Sequence, residues 1–248
     1  MIEVKGLSKR YGDLVAVNNV SFEVQRGEVV GLLGPNGAGK TTTMRVLTGF
    51  LPPSAGSVRI AGHDLEREPI AARRAIGYLP ENPPLYPEMR VIDYMLYVAA
   101  IKDVPRARRA ESVQRALEAC ALDAVRHQVI GTLSRGYRQR VGLAQAIVHE
   151  PEVLVFDEPT AGLDPVQIVE IRNLIQELAR EERRTVILST HILTEVEAIC
   201  RRVLLMSSGE IRIDGPLAEV KGTASLEDVF LREAGPRTSG ENAGGAPA

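Results

Sequence analysis

The chain has 248 residues, of which 44% are hydrophobic and 25% charged, enough apolar material for one large domain or two intimate lobes. A formal net charge of −2 carries no basic footprint, so no nucleic acid is expected as a partner. The 2 cysteines, Cys120 and Cys200, lie far apart without metal-ligand spacing, as free thiols in a reducing cytoplasm would.

Met1–Lys5 lacks the charged-then-apolar layout of a secretory signal. Val91–Ile101 is the longest apolar candidate, but it is too short to span a bilayer and contains Asp93. Any membrane role is therefore expected to come through a partner. Residues 2–24 read as β-rich, with a turn at Tyr11-Gly12-Asp13. Glu28–Leu33 reads as a buried strand, and a helix is expected from about Thr42. Gly49–Pro53 is a break, and strands are expected at Gly56–Ile60 and Ile76–Leu79. The prolines of Pro80–Pro84 mark a lobe boundary. From about 82 to 148 the pattern predicts a helical insertion, with helices over Val91–Ile101 and from Pro105 to Cys120, and a third opening near Ser134. The α/β pattern returns with strands at Val153–Phe156, Val186–Leu188 and Val203–Met206. A helix from Pro165 carries the stripe Ile168, Ile171, Ile175 and Leu178. Ser208-Gly209 reads as a hairpin turn into Ile211–Ile213, and the small, polar stretch from 235 to 248 as a disordered tail. The arginines at 106, 108, 109, 201 and 202 are expected on solvated faces.

The chemistry centres on Gly34, Pro35, Asn36, Gly37, Ala38, Gly39, Lys40 and Thr41, between a strand and a helix. This matches G-x-x-x-x-G-K-[ST], the phosphate-binding loop. Its glycines let successive N–H groups turn inward at a helix start, with Thr42 on the first turn. Lys40 would reach the β- and γ-phosphates, and the Thr41 hydroxyl would help hold Mg²⁺. A plain glycine-rich turn has no use for the Lys-Thr pair, and a dinucleotide fingerprint has different spacing. Asp157 and Glu158 end a buried strand, where open α/β sheets bind ligands. Asp157 can hold Mg²⁺, and Glu158 can orient or deprotonate the attacking water. His191 closes another strand at the same edge, a candidate γ-phosphate contact. Ser134 can cap its helix or, with the N–H groups there, form a second anion site. Two copies placed head to tail would then sandwich ATP.

Taken in order, Gly34–Thr41, Leu133–Gln139, Val153–Glu158, Ala161–Asp164 and His191 resemble the ATPase subunit of an ABC transporter, over Ile2 to about Ile213. The resemblance implies a P-loop NTPase, a RecA-like α/β core with an antiparallel β lobe and an inserted α-helical subdomain. The domain would span 1–234, with its core in 1–81 and 149–234. It also implies Mg-ATP hydrolysis by a dimer of this chain or with a close paralogue, bound to an integral-membrane permease at the inner face of the cell membrane. Tyr11 matches the adenine-stacking aromatic, Ser134 and Gly136 the signature contacting the partner's γ-phosphate, and Ala161–Asp164 the loop crossing the interface. Two departures stand out. The signature usually reads L-S-G-G-Q, but Arg135 replaces the first glycine and Tyr137 the glutamine. Glu81 occupies the place of a glutamine that faces Mg²⁺ and the permease. Gly77–Glu81, Arg135–Arg140 and Ser225–Phe230 narrow the likeness to exporters of the second ABC type, the branch of gliding-motility, sodium-efflux and antibiotic-efflux ATPases. Leu85, Tyr86 and Met89 are expected either to meet the permease or to pack locally. The rival classes are a soluble ABC-type ATPase acting on DNA or ribosomes and a regulatory module that binds ATP without turnover. Coiled coils, zinc-ligand cysteines or a second ATPase unit would mark the first, and Glu158 argues against the second.

Overall fold

The computed structural model describes residues 1–181, 184–222 and 224–234, so the expected tail at 235–248 lies outside the described residues. In chain order the elements are β1 (Ile2–Tyr11), β2 (Leu14–Val24), β3 (Val29–Leu33), α1 (Lys40–Leu47), β4 (Ala55–Ile60), β5 (His63–Asp64), α2 (Pro69–Arg74) and β6 (Ile76–Leu79). Three helices follow without an intervening strand: α3 (Val91–Ile101), α4 (Arg109–Ala119) and α5 (Arg135–Ile147). The chain then runs through β7 (Val153–Asp157), α6 (Pro165–Glu181), β8 (Thr185–Thr190), α7 (Leu193–Ile199), β9 (Arg202–Ser207), β10 (Glu210–Pro216), α8 (Leu217–Lys221) and α9 (Leu226–Ala234).

Among the described residues the strands form two sheets. One is antiparallel, in the order β2-β1-β4-β5, and the other runs β10-β9-β3-β8-β7-β6, parallel except for β10. The parallel strands are apolar at nearly every position because both faces of their sheet are covered. Alternation assigns each side chain to a face. Leu33, Leu154, Phe156, Val186, Leu188, Val203 and Leu205 join the core built with α3–α7. Val30, Leu32, Val153, Val155, Ile187, Leu204 and Met206 join α1 and the antiparallel sheet. Tyr94, Met95 and Leu117 of the helical stretch share the first core, so these helices pack on the sheet.

Most expected elements stand where the pattern puts them, with exceptions. β5 and α2 escaped the reading: one is two residues long, and the other begins at Pro69 and buries only Ala72, leaving no apolar stripe to detect. α7, α8 and α9 were likewise not expected, the first two being only seven and five residues long. The helix expected from Pro105 is a 3₁₀ turn over Arg106–Arg108 followed by α4, with Pro105 extended. From 82 to 148 no strand interrupts the helices, and an isolated antiparallel bridge pairs Arg90 with Val129. Arg202 is not simply solvated. Its Nε lies 2.6 Å from Asp214 Oδ1 and its Nη1 3.2 Å from Glu28 Oε1, pinning β9 to β10 and to the residue before β3. Cys120 and Cys200 are both buried, and burial pushes each thiol up to about 12. No helix among the described residues is long and apolar enough to cross a membrane.

Candidate functional site: a phosphate loop facing three strand ends

Parallel register brings the site together. Leu33 stands opposite Thr190 on β8, and Asp157 opposite Ser189, so the segments leaving β3, β7 and β8 emerge at one edge. The loop after β3 curls into α1 through Gly39, whose φ is 104° and which offers no side-chain cap. The first amide groups of α1 thus have neither intrahelical nor side-chain acceptors, the usual basis of anion binding at a helix start. Close packing explains the small residues here. A methyl group on Gly34 would stand 2.3 Å from the Met206 carbonyl oxygen, and one on Gly39 2.5 Å from that of Ala16.

Lys40 is 5% exposed, and its Nζ donates to the carbonyls of Gly34 (2.7 Å) and Pro35 (3.2 Å). It also lies 3.3 Å from Glu158 Oε1, and the other carboxylate oxygen of Glu158 is 2.9 Å from His191 Nδ1. Lysine, glutamate and histidine therefore form one chain across the strand ends. Glu158 holds a left-handed conformation (φ 47°), which turns the backbone sharply after β7. Its amide donates to the Ser189 carbonyl and to Ser189 Oγ, both at 3.1 Å. Ser189 Oγ also donates to Asp157 Oδ1 at 2.6 Å, and Thr41 Oγ1 donates to the same oxygen at 3.2 Å. Burial pushes the Asp157 carboxyl above its usual range; the bonds from Ser189 and Thr41 oppose the rise, while the charges of Glu158 and Glu81 add to it.

A cavity of about 620 Å³ is lined by Asn36, Gly37, Ala38, Gly39, Lys40, Thr41 and Thr42 of the loop together with Tyr11, Glu81, Glu158 and His191. Tyr11 is half-exposed at its mouth, with Lys9 Nζ 5.4 Å from the ring centre. A divalent cation fits the donor set: the Thr41 hydroxyl and the Asp157 carboxylate share a contact, and Glu81 faces the same cavity. Among the described residues there is no cluster of three or more His, Cys, Asp or Glu that would form an all-protein metal cage. Magnesium is commonly held by one or two carboxylates plus phosphate oxygens, so this donor set matches its habit.

Ser134 and Gly136 stand elsewhere, lining a separate cavity of about 640 Å³ with Tyr137, Asp164 and Gln167. Ser134 is the N-cap of α5, its hydroxyl accepting from the Tyr137 amide at 3.3 Å. Of the three residues considered for a permease contact, Leu85 and Met89 are partly buried against the core, and Tyr86 is exposed among Tyr94 and Tyr97. Sequence reasoning gave no role to Ser189, which ties Asp157 to the Glu158 turn, nor to Ser208 and Gly209 in the cavity wall. The Ser-Thr pair before His191 was the available signal.

A family model described as ABC transporter matches residues 17–161, more than half of the chain. The chain belongs to the ABC transporter family. An AAA-domain model also matches, over 128–197. The ATP-binding protein YxlF of Bacillus subtilis, described as an uncharacterized ABC transporter protein, is 39% identical over 221 residues, 89% of this chain and 72% of that one. The bacitracin transport ATP-binding protein BcrA of Bacillus licheniformis is 35% identical over 89% of this chain and 71% of its own length. The dimeric structure of MJ0796, a bacterial ABC transporter cassette, superposes with a TM-score of 0.79 and 25% identity, covering 88% of this chain and 99% of that one. As a member, the chain has the P-loop NTPase fold and is an ATPase.

Proposed function

We propose that this ABC ATPase binds Mg-ATP between two copies placed head to tail and drives a separate integral-membrane permease, resting on the inner face of the cell membrane through that partner. The helical subdomain, about 82–148, would carry the second phosphate contact. One observation supports the reading above others: the Ser134–Gly136 helix start and the phosphate loop line different cavities of one chain. A second copy is the simplest way to bring them onto one triphosphate. The transport role is supported by relatives such as BcrA, named for bacitracin transport.

In this reading the phosphate loop and Lys40 hold the β- and γ-phosphates, Tyr11 stacks on the adenine, and Thr41, Asp157 and Glu81 hold Mg²⁺. When bound there, the cation would supply charge neutralisation to the phosphates. Glu158 orients the attacking water and accepts its proton, His191 holds that carboxylate and meets the γ-phosphate, and Ser134 and Gly136 reach across from the other copy. When ATP arrives, phosphate oxygens replace the carbonyl acceptors that Lys40 now uses. Sedimentation and turnover of Glu158→Gln test the scheme. With Mg-ATP the variant is expected to persist as a dimer, while hydrolysis falls by about 10²–10⁴-fold, the usual contribution of a general base. Strictly monomeric behaviour, even with the membrane partner present, would overturn the head-to-tail reading, and near-wild-type turnover would remove Glu158 from its role.

A further inference from the structure

The four residues from Glu158 to Ala161 are each held by a different side chain. Ser189 takes the Glu158 amide, Gln139 Nε2 donates to the Pro159 carbonyl at 2.7 Å, Thr160 bonds to Glu195, and Arg135 Nη2 donates to the Ala161 carbonyl at 2.7 Å. Ser189 and Glu195 belong to β8 and α7, on the sheet side. Gln139 and Arg135 belong to α5. The segment behind the candidate catalytic carboxylate is therefore strung between α5 and the β8–α7 segment. Glu158 sits in a left-handed conformation that ordinary residues keep only when their surroundings impose it, so its placement depends on these holds.

Gln139 is buried, whereas Arg135 is exposed and stands where the family signature usually has glycine. Its guanidinium lies flat against Gly162: a methyl group there would come within 2.5 Å of Arg135 Cζ. Gly162 has a φ of 68°, so the turn and the arginine fit each other. A glycine at 135 could supply no such bond.

We propose that Arg135 is a positioning residue that ties the tip of α5 to the loop after Glu158, so that movement of the helical segment is carried to that carboxylate. The proposal rests on the reading of Glu158 given above. A swing of α5 pulls on Ala161 through a charge-assisted bond, and Ala161 in turn donates its amide to the Glu158 carbonyl at 3.1 Å. The strain is thus delivered three residues from the reacting group.

Arg135→Met keeps the stem and removes the donor, and Arg135→Lys restores a donor. In the nucleotide-free protein, amide hydrogen exchange over 159–164 is expected to quicken in Arg135→Met and to return towards wild type in Arg135→Lys, with the rest of the chain unchanged. With Mg-ATP, kcat is expected to fall about tenfold in Arg135→Met while KM stays within about twofold, as for a misplaced catalytic group, and Arg135→Lys to recover much of the loss. Unchanged exchange, unchanged kcat, or a loss confined to KM would overturn the proposal. If Glu158→Gln hydrolyses ATP like wild type, the assignment of Glu158 falls instead, and the exchange measurement still decides whether the tie exists.

Discussion

Two helix starts in this chain face possible phosphates, and they are built on opposite plans. α1 begins at a left-handed glycine with no side-chain cap, and the lysine that follows is buried among carbonyls. α5 begins at an exposed serine that caps its own helix. The first start needs an anion to complete its hydrogen bonding. The second has one of its free amides, that of Tyr137, already capped by its own serine. This asymmetry suits a site in which one half grips the nucleotide continuously and the other engages only on closure.

Lys40→Ala removes the buried cation from the gripping half, and kcat/KM is expected to fall by about 10²–10³-fold, the scale of losing one preorganised charge donor. Steady-state turnover with matched ATP-binding curves checks it, and a loss below about tenfold would mean the lysine is structural. The next largest effect concerns how α5 is hung at its far end. His149 Nε2 donates to the Ile76 carbonyl at 3.0 Å, its Nδ1 is buried without a partner, and burial, with Lys102 repelling the proton, lowers its pKa from 6.5 to about 4. In the unfolded chain this histidine protonates near its ordinary value, whereas the folded chain resists until about 4. Stability is therefore full above pH 6.5 and is lost as pH falls towards 4, by up to about 3 kcal/mol. Denaturant midpoints at pH 7 and pH 4.5 should differ more in wild type than in His149→Gln; equal differences would refute it. The smallest effect is Ser134→Ala, expected to cost about 1 kcal/mol of stability as a lost N-cap. If α5 also serves a partner's phosphate, its turnover should fall more than its thermal midpoint explains.

The same contrast shows what could be read from residue order. The phosphate loop was legible because its chemistry is local, eight consecutive residues between a strand and a helix. The acidic pair and His191 were legible because each closes an apolar strand. The role of Ser189 was not, since it depends on the pairing of β7 with β8, residues 32 apart in the chain. The work of Arg135 was hidden for the same reason: its partner carbonyl lies 26 residues away, and only its departure from the expected glycine drew notice. Leu85 and Met89 carry no signal that separates an outward apolar residue from one tucked against α3–α5, and the fold turned both inward.

The β9–β10 hairpin has a further consequence. Both of its tip residues, Ser208 and Gly209, have positive φ, and the Gly209 amide donates to the Ala38 carbonyl at 2.9 Å while its carbonyl accepts from Asn18 at 2.8 Å. This small tip rivets the antiparallel sheet to the loop beneath it. The sheet bearing Tyr11 and the Gly34–Thr41 loop are consequently moored to one hairpin tip.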